Sequence, residues 1–253
     1  MIFRSSQVSE AKRCVAKAFY KYELGLVKKG EKVNSDLFFG KAVHKGVELS
    51  LTQSLEDAVD YLEGLLWPPG RTKSKQTALC LVRQFYHKFD YELISSEEYF
   101  TFPIDEDVWK GKFDLVAKKD GELTLIELKT TNPYYLVTKP VDQFISYYIG
   151  AKEKYGAKQF VLCNLDPNSI NVSFTRVRYS DDEISEWMVE FAYWKDFYKK
   201  CVTDKIIPRT SGACYDYNRQ CEYYDICISN PEIRKKVINN CYDISEAQKE
   251  LEW

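Results

Sequence analysis

GKFDLVAKKDGELTLIELK, residues 111–129, holds two runs rich in β-branched and apolar residues, GKFDLVA and ELTLIELK, separated by Lys118-Lys119-Asp120-Gly121. Asp120-Gly121 favours a two-residue hairpin turn because both central positions can take positive φ. That turn sets Lys119 opposite Glu122, and counting back along both strands brings Asp114 opposite Glu127. Glu127 and Lys129, two positions apart, share one side of their strand, with Ile126 and Leu128 on the other; Phe113 and Leu115 turn away from Asp114 in the same manner. Three ionisable groups thus meet on one partly enclosed surface. Two close carboxylates repel unless a cation lies between them, and oxygen ligands of this kind suit Mg²⁺ or Mn²⁺. A plain hairpin with solvated charges at its ends would match the same letters, so the flanking sequence has to decide.

Upstream, apolar residues at helical spacing predict a helix from about Ser6 to Tyr22, a second from about Asp36 to Trp67 stopped by Pro68-Pro69-Gly70, and a third from Lys75 to Phe89. YFTFPI, 99–104, reads as a strand broken near Pro103. Downstream come a helix from about Val141 to Tyr155, strands in QFVLCNL and NVSFTRVRY, and a helix from Ser180 to about Cys201 opened by a Ser180/Glu183 capping box. This order predicts an α/β fold with a central mixed β-sheet flanked by helices. No composition shift marks a domain boundary, so the expectation is one domain over 1–253. Its parts are a helical segment (1–95), a core (96–180) and a carboxy-terminal helix with a cysteine cluster (181–253).

A composition of 45% apolar and 29% charged residues is that of an ordinary globular protein. A formal net charge of -2 argues against coating nucleic acid by bulk positive charge, yet a cleft can be locally basic while cations neutralise its acidic centre. No stretch approaches the roughly 20 apolar residues of a membrane span. The opening MIFRSSQVSEAKRC lacks the apolar run of a secretion signal, so the expected location is cytoplasmic.

Two further constellations surround the hairpin. In GKAVH, Gly40 and His44 lie four apart on one helix face, where glycine admits a close neighbour and the imidazole can reach a metal. His87, the other histidine, has no comparable setting. In QFISY, Gln143 and Tyr147 share a face of the helix after the hairpin and suit contacts with a phosphate or with the acids.

GxxxH at Gly40–His44, Asp114 of KFDLV, ExK at Glu127–Lys129 and QxxxY at Gln143–Tyr147 occur in the order seen in the RecB-like branch of the PD-(D/E)xK nuclease superfamily, which the chain resembles over most of its length. The resemblance implies a restriction-endonuclease-like core. It implies that His44, Asp114 and Glu127 bind the divalent metal, with the Leu128 carbonyl as a further ligand, that Lys129 is catalytic, and that Gln143 and Tyr147 help position DNA. The expected activity is metal-dependent hydrolysis of DNA phosphodiesters, as an exonuclease on single strands or ends. The alternatives are a structure-specific endonuclease and a catalytically idle DNA-binding or assembly subunit. Any helicase or other DNA-processing partner would be a separate chain. YYLVTKP (134–140), Lys139 and Lys158 are candidate strand contacts.

Cys214, Cys221 and Cys227 cluster at short spacing, which points to metal rather than disulfide in a reducing compartment. Cys14 is the candidate fourth ligand and Cys201 its competitor. Four thiolates accept Zn²⁺ or an iron–sulfur cluster. The resemblance favours a 4Fe-4S cluster, as in CRISPR-associated exonucleases and AddB-type nucleases, joining the first helix to the carboxy-terminal region. Those proteins space the last three cysteines as CxxC, five residues, Cys; here six residues separate the first two.

Overall fold

A computed structural model describes residues 1–30, 34–132, 142–157, 159–216 and 219–245. YYLVTKP, Lys139, Val141 and Lys158 lie outside the described residues.

In chain order the elements begin with β1 (Ile2–Phe3), α1 (Ser5–Arg13), α2 (Val15–Ala18) and a π-helical turn (Phe19–Glu23), then β2 (Leu26–Lys28), α3 (Ser35–Thr52), α4 (Leu55–Gly64) and α5 (Lys75–Lys88). There follow β3 (Glu92–Ile104), β4 (Asp107–Lys119), β5 (Glu122–Lys129), α6 (Asp142–Tyr155), β6 (Gln159–Asp166), β7 (Asn171–Val177) and α7 (Asp181–Asp204). The chain ends through a 3-10 turn (Ser211–Ala213), β8 (Tyr215–Asp216), β9 (Arg219–Gln220), α8 (Tyr224–Ile228), α9 (Pro231–Cys241) and β10 (Tyr242–Ile244). These elements form two compact units, one of Met1–Ile2 with Val33–Ile184, the other of Phe3–Lys32 with Ser185–Trp253.

The first unit is a mixed sheet with helices on its faces. β3 pairs with β4, β4 with β5 and β6 with β7 antiparallel, whereas β5 and β6 run parallel through the crossover that contains α6. Side chains alternate along β6. Val161, Cys163 and Leu165 enter a core with Phe39, Val43 and Val47 of α3, Leu62 of α4 and Val82 and Phe85 of α5. Phe160 faces the other way and meets Phe144 of α6.

Local chemistry sets the element ends. Lys119 pairs with Glu122 across the expected turn, with φ of 51° at Asp120 and 82° at Gly121. At α7, Glu183 N–H donates to Ser180 Oγ and Ser180 N–H to the Glu183 carboxylate, which completes the capping box.

Three expectations need correction. The predicted helix 36–67 is two helices, because Ser54 adopts extended backbone and its hydroxyl accepts Asp57 N–H as the cap of α4. The predicted helix 6–22 is broken at Cys14, whose extended φ and ψ (-161°, 112°) separate α1 from α2. The strand does not break at Pro103, which pairs with Val108 within β3; the missing N–H is tolerated because β3 is an edge strand.

In the second unit, Cys14, Ala16, Tyr20, Leu26, Tyr223, Ile226 and Tyr242 form the buried cluster. β2 and β10 pair antiparallel, and Tyr223 donates its hydroxyl proton to Leu26 O at 2.8 Å. No helix among the described residues is long and apolar enough to cross a membrane.

Candidate active site

The β4–β5 ladder ends at Leu115↔Ile126, one position short of the acids. Beyond that pair the Asp114 side chain stands in for a ladder partner, its Oδ2 accepting Leu128 N–H at 2.8 Å. Phe113 and Leu115 do not pack in one layer as alternation predicts. Phe113 stacks on Phe100 and meets Tyr147 of α6, whereas Leu115 joins the core of α3 and α5. The strand thus departs from simple alternation around Asp114.

Both acids are buried, Asp114 with 9% and Glu127 with 2% of its surface exposed. Burial, and then the charge of Asp114, pushes the Glu127 carboxyl up to about 7. Burial acts on Asp114 in the same sense, but His44, Lys129 and the Leu128 N–H outweigh it and hold this carboxyl below its ordinary value. Asp114 Oδ1 lies 3.5 Å from His44 Nδ1. Burial alone would lower the imidazole; Asp114, with Glu127 behind it, keeps it above the usual histidine value.

Glu127 Oε1 is fully engaged, accepting from Lys129 Nζ at 2.8 Å and from Gln143 Nε2 at 2.7 Å. Lys129 Nζ also donates to Gln143 Oε1 at 2.8 Å, so acid, ammonium and amide close a ring. Glu127 Oε2 is buried with no hydrogen-bond partner among the described residues. A buried carboxylate oxygen left unmatched is costly, and a cation is the partner that would satisfy it. Tyr147, the other half of QxxxY, is 8% exposed and sits edge-on to Phe100 and Phe113.

A cavity of about 420 Å³ opens beside these groups, lined among others by Gly40, His44, Glu97, Lys112, Asp114, Leu128 and Lys129. A Cβ on Gly40 would come within 3.1 Å of Thr130 Oγ1, so the glycine of GxxxH admits the residue just after ExK. His44, Glu97 and Asp114 each bring a ligand atom within 4.8 Å of the others. Oxygens and one imidazole nitrogen form the donor set expected for Mg²⁺ or Mn²⁺. Glu97 escaped the sequence reading. Nothing in SSEEYF separates it from its neighbour Glu98; only the fold turns it toward Asp114. His87 is exposed and distant in role, stacked edge-on to Tyr86.

The cysteines of the second unit sort themselves. None of the eight is disulfide-bonded. Cys221 N–H donates to Cys214 O at 2.8 Å in the β8–β9 hairpin, and Cys221 and Cys227 pack against the cluster that contains Cys14. Burial pushes the Cys227 thiol up, and the neighbouring Cys14, Cys221 and Cys214 push in the same direction. Cys201, near the end of α7, has Asp204 and Lys200 as its charged neighbours rather than thiols. Cys163 is buried in the sheet of the first unit, and Cys241 is exposed.

Buried acids, an imidazole and an ammonium thus gather around one cavity, and His44, Glu97 and Asp114 among them could hold a metal ion. The family model of the PD-(D/E)XK nuclease superfamily matches residues 5–228, and the chain belongs to that superfamily. Among solved structures it is similar to a candidate exonuclease from Eubacterium rectale at 12% identity and a TM-score of 0.60, over 90% of this chain and 93% of that one. An alkaline exonuclease from Laribacter hongkongensis also matches, at 12% identity and a TM-score of 0.32, over 65% of this chain and 93% of that one. The first likeness is one of fold. No curated protein matches the sequence.

Proposed function

We propose that the chain is a divalent-metal-dependent deoxyribonuclease of the RecB-like branch, hydrolysing DNA phosphodiester bonds as an exonuclease on single-stranded DNA or DNA ends. The observation that carries this reading is Glu127. One of its oxygens is fixed by Lys129 and Gln143, and the other is buried beside Asp114 without a partner among the described residues.

Asp114, Glu127 and His44, with the Leu128 carbonyl, would hold Mg²⁺ or Mn²⁺. When bound, such an ion supplies Lewis-acid polarisation of the phosphate and makes water a better nucleophile. The chain's own groups do the rest. Glu127 and Gln143 pin the Lys129 ammonium, so that its charge is fixed in place before substrate arrives and costs no reorganisation as negative charge builds on the phosphate. Gln143 thereby positions the acid and the lysine, and the role in positioning DNA proposed for the QxxxY pair rests on half-buried Gln143, with Tyr147 packed behind it against Phe100 and Phe113.

In the second unit, Cys14, Cys214, Cys221 and Cys227 would hold a 4Fe-4S cluster, with Zn²⁺ as the other occupant such thiols accept. Support comes from the packing of Cys221 and Cys227 against the buried cluster that contains Cys14, and from the hydrogen bond that ties Cys221 to Cys214.

The test is digestion of end-labelled linear single-stranded, linear duplex and closed circular DNA with Mg²⁺ or Mn²⁺. Shortening only from ends supports the exonuclease. Linearised circles replace it with an endonuclease, and normal binding without cleavage replaces it with an idle subunit.

A further inference from the structure

Glu97 stands where a strand residue has no ordinary reason to be. It lies in β3 between the pairs Ser96↔Leu115 and Glu98↔Phe113, which sets it across from Asp114, and its φ is 53°. Left-handed backbone in mid-strand disfavours any residue but glycine, yet the position carries a long carboxylate. That carboxylate lines the cavity, and its oxygen falls within 4.8 Å of the nearest ligand atoms of His44 and Asp114. Its present partner is the Lys112 ammonium, an arm with 40% of its side chain exposed. The buried, unpartnered Glu127 Oε2 is an independent sign that positive charge is wanted beside Asp114.

We propose that Glu97 is a further ligand of the divalent cation, binding it together with His44 and Asp114 and exchanging Lys112 for the metal when the ion enters. The inference rests on the metal-dependent reading above and adds to it a ligand that neither ExK nor GxxxH contains. Two physical points favour it. Mg²⁺ and Mn²⁺ take about six ligands, mostly oxygens, so beyond Asp114, Glu127, His44 and the Leu128 carbonyl there is room for a carboxylate in place of a water. A lysine already paired to the carboxylate keeps the empty site from accumulating uncompensated negative charge, and its flexible stem lets it leave without disturbing the strand.

The test is Mn²⁺ binding to the full chain, followed by loss of the free-ion electron paramagnetic resonance signal, with circular dichroism melts as the check on folding. Glu97→Gln should weaken Mn²⁺ binding by about tenfold or more, on the scale of groups that support metal sites. Glu97→Gly, which takes the left-handed backbone freely, should fold at least as well and bind as poorly. Lys112→Met should bind Mn²⁺ as tightly as the parent or more tightly, because a competitor for the carboxylate is gone. Parent-like affinity in both Glu97 variants overturns the inference. So does an equal loss in Lys112→Met and Glu97→Gln, which would assign Glu97 to holding Lys112. If Glu127→Gln binds Mn²⁺ as the parent does, or the parent binds none, the metal-dependent reading fails and this inference fails with it.

Discussion

Replacing Gly150 with alanine should destabilise the first unit, although alanine is ordinarily the better helix former by about 1 kcal/mol. The reason is the ring of Phe100, 2% exposed and held between two glycines. A Cβ at Gly150 would sit 2.3 Å from Cε2 of that ring, and one at Gly111 on β4 would sit 2.3 Å from Cε1. Ordinary contact begins at 3.4 Å, so the shortfall is about 1.1 Å. The ring cannot retreat, since it stacks on Phe113 at 4.0 Å and meets Tyr147 edge-on at 5.4 Å. Overpacking of this kind costs about 1–3 kcal/mol, enough to cancel the helix preference and leave a net loss. Urea denaturation followed by circular dichroism measures it. Phe100→Leu should relieve the clash, so that Gly150→Ala becomes neutral or stabilising in that background, with a coupling of about 1 kcal/mol or more between the two sites. α6 also carries Gln143, and a displacement of about 1 Å at a positioning group can lower turnover about a hundredfold. A Gly150→Ala protein as stable as the parent, with Phe100 intact, would refute the account of how α6 is seated.

Glu127→Ala should abolish cleavage in Mg²⁺ and leave the circular dichroism spectrum unchanged; full activity would remove Glu127 from the centre. Lys129→Met should lower turnover by about a hundredfold to a thousandfold, with DNA binding affected far less, as single-turnover cleavage and filter binding will report. Tyr198 donates its hydroxyl proton to Glu23 at 3.0 Å, and burial, then the Glu23 charge, raises its ionisation above the ordinary tyrosine value. Because the folded state holds this proton more tightly, its contribution is complete below about pH 10 and is lost as pH rises toward the folded value. Tyr198→Phe should therefore show a shallower loss of urea stability between pH 9 and about 11 than the parent, by up to about 1.4 kcal/mol per pH unit, and an equal slope would refute the assignment. If Cys14, Cys214, Cys221 and Cys227 hold the proposed 4Fe-4S cluster, removing its iron or changing Cys227→Ser should lower the melting temperature of the second unit. Closing a loop of roughly 200 residues between Cys14 and Cys214 contributes about 5 kcal/mol on entropy grounds, so an unchanged melt after chelation would dismiss the staple.

What could be read from the letters was what neighbours in sequence decide. Asp120-Gly121 determines its own turn, the turn determines the register, and the register carries Asp114 and Glu127 to adjacent strands without help from the rest of the chain. Ser180 and Glu183 cap α7 by the same local logic. The break between α3 and α4 was hidden because apolar spacing runs on through Thr52 and Leu55, while the single hydroxyl of Ser54 reverses the backbone. Cys14 and Cys201 could not be ranked by spacing, since which thiol approaches Cys227 depends on the path of the chain through the second unit. Glu97 was wholly illegible: its position follows from one left-handed residue and a pairing with a strand ten or more residues away.

The legible and the illegible parts of the site both lie where strand pairing loses its regularity. The ladder between β4 and β5 stops at Leu115↔Ile126, just where the acids begin. Had pairing continued, Leu128 N–H would have met a backbone carbonyl, and Asp114 would have been one more solvated strand residue beside its neighbour. Because pairing stops, the Asp114 carboxylate takes that N–H with Oδ2 and turns Oδ1 toward His44. Glu97, on the opposite flank of β4, reaches the cavity through its own departure from regular strand geometry. Regular pairing satisfies the backbone and leaves side chains alternating between the two faces, and its interruption here frees a backbone N–H that the Asp114 carboxylate takes. An insertion or substitution that extended the β4–β5 ladder by one pair should therefore cost the cation site more than the removal of any one peripheral ligand, because it would redirect Asp114 away from both Leu128 and His44 at once.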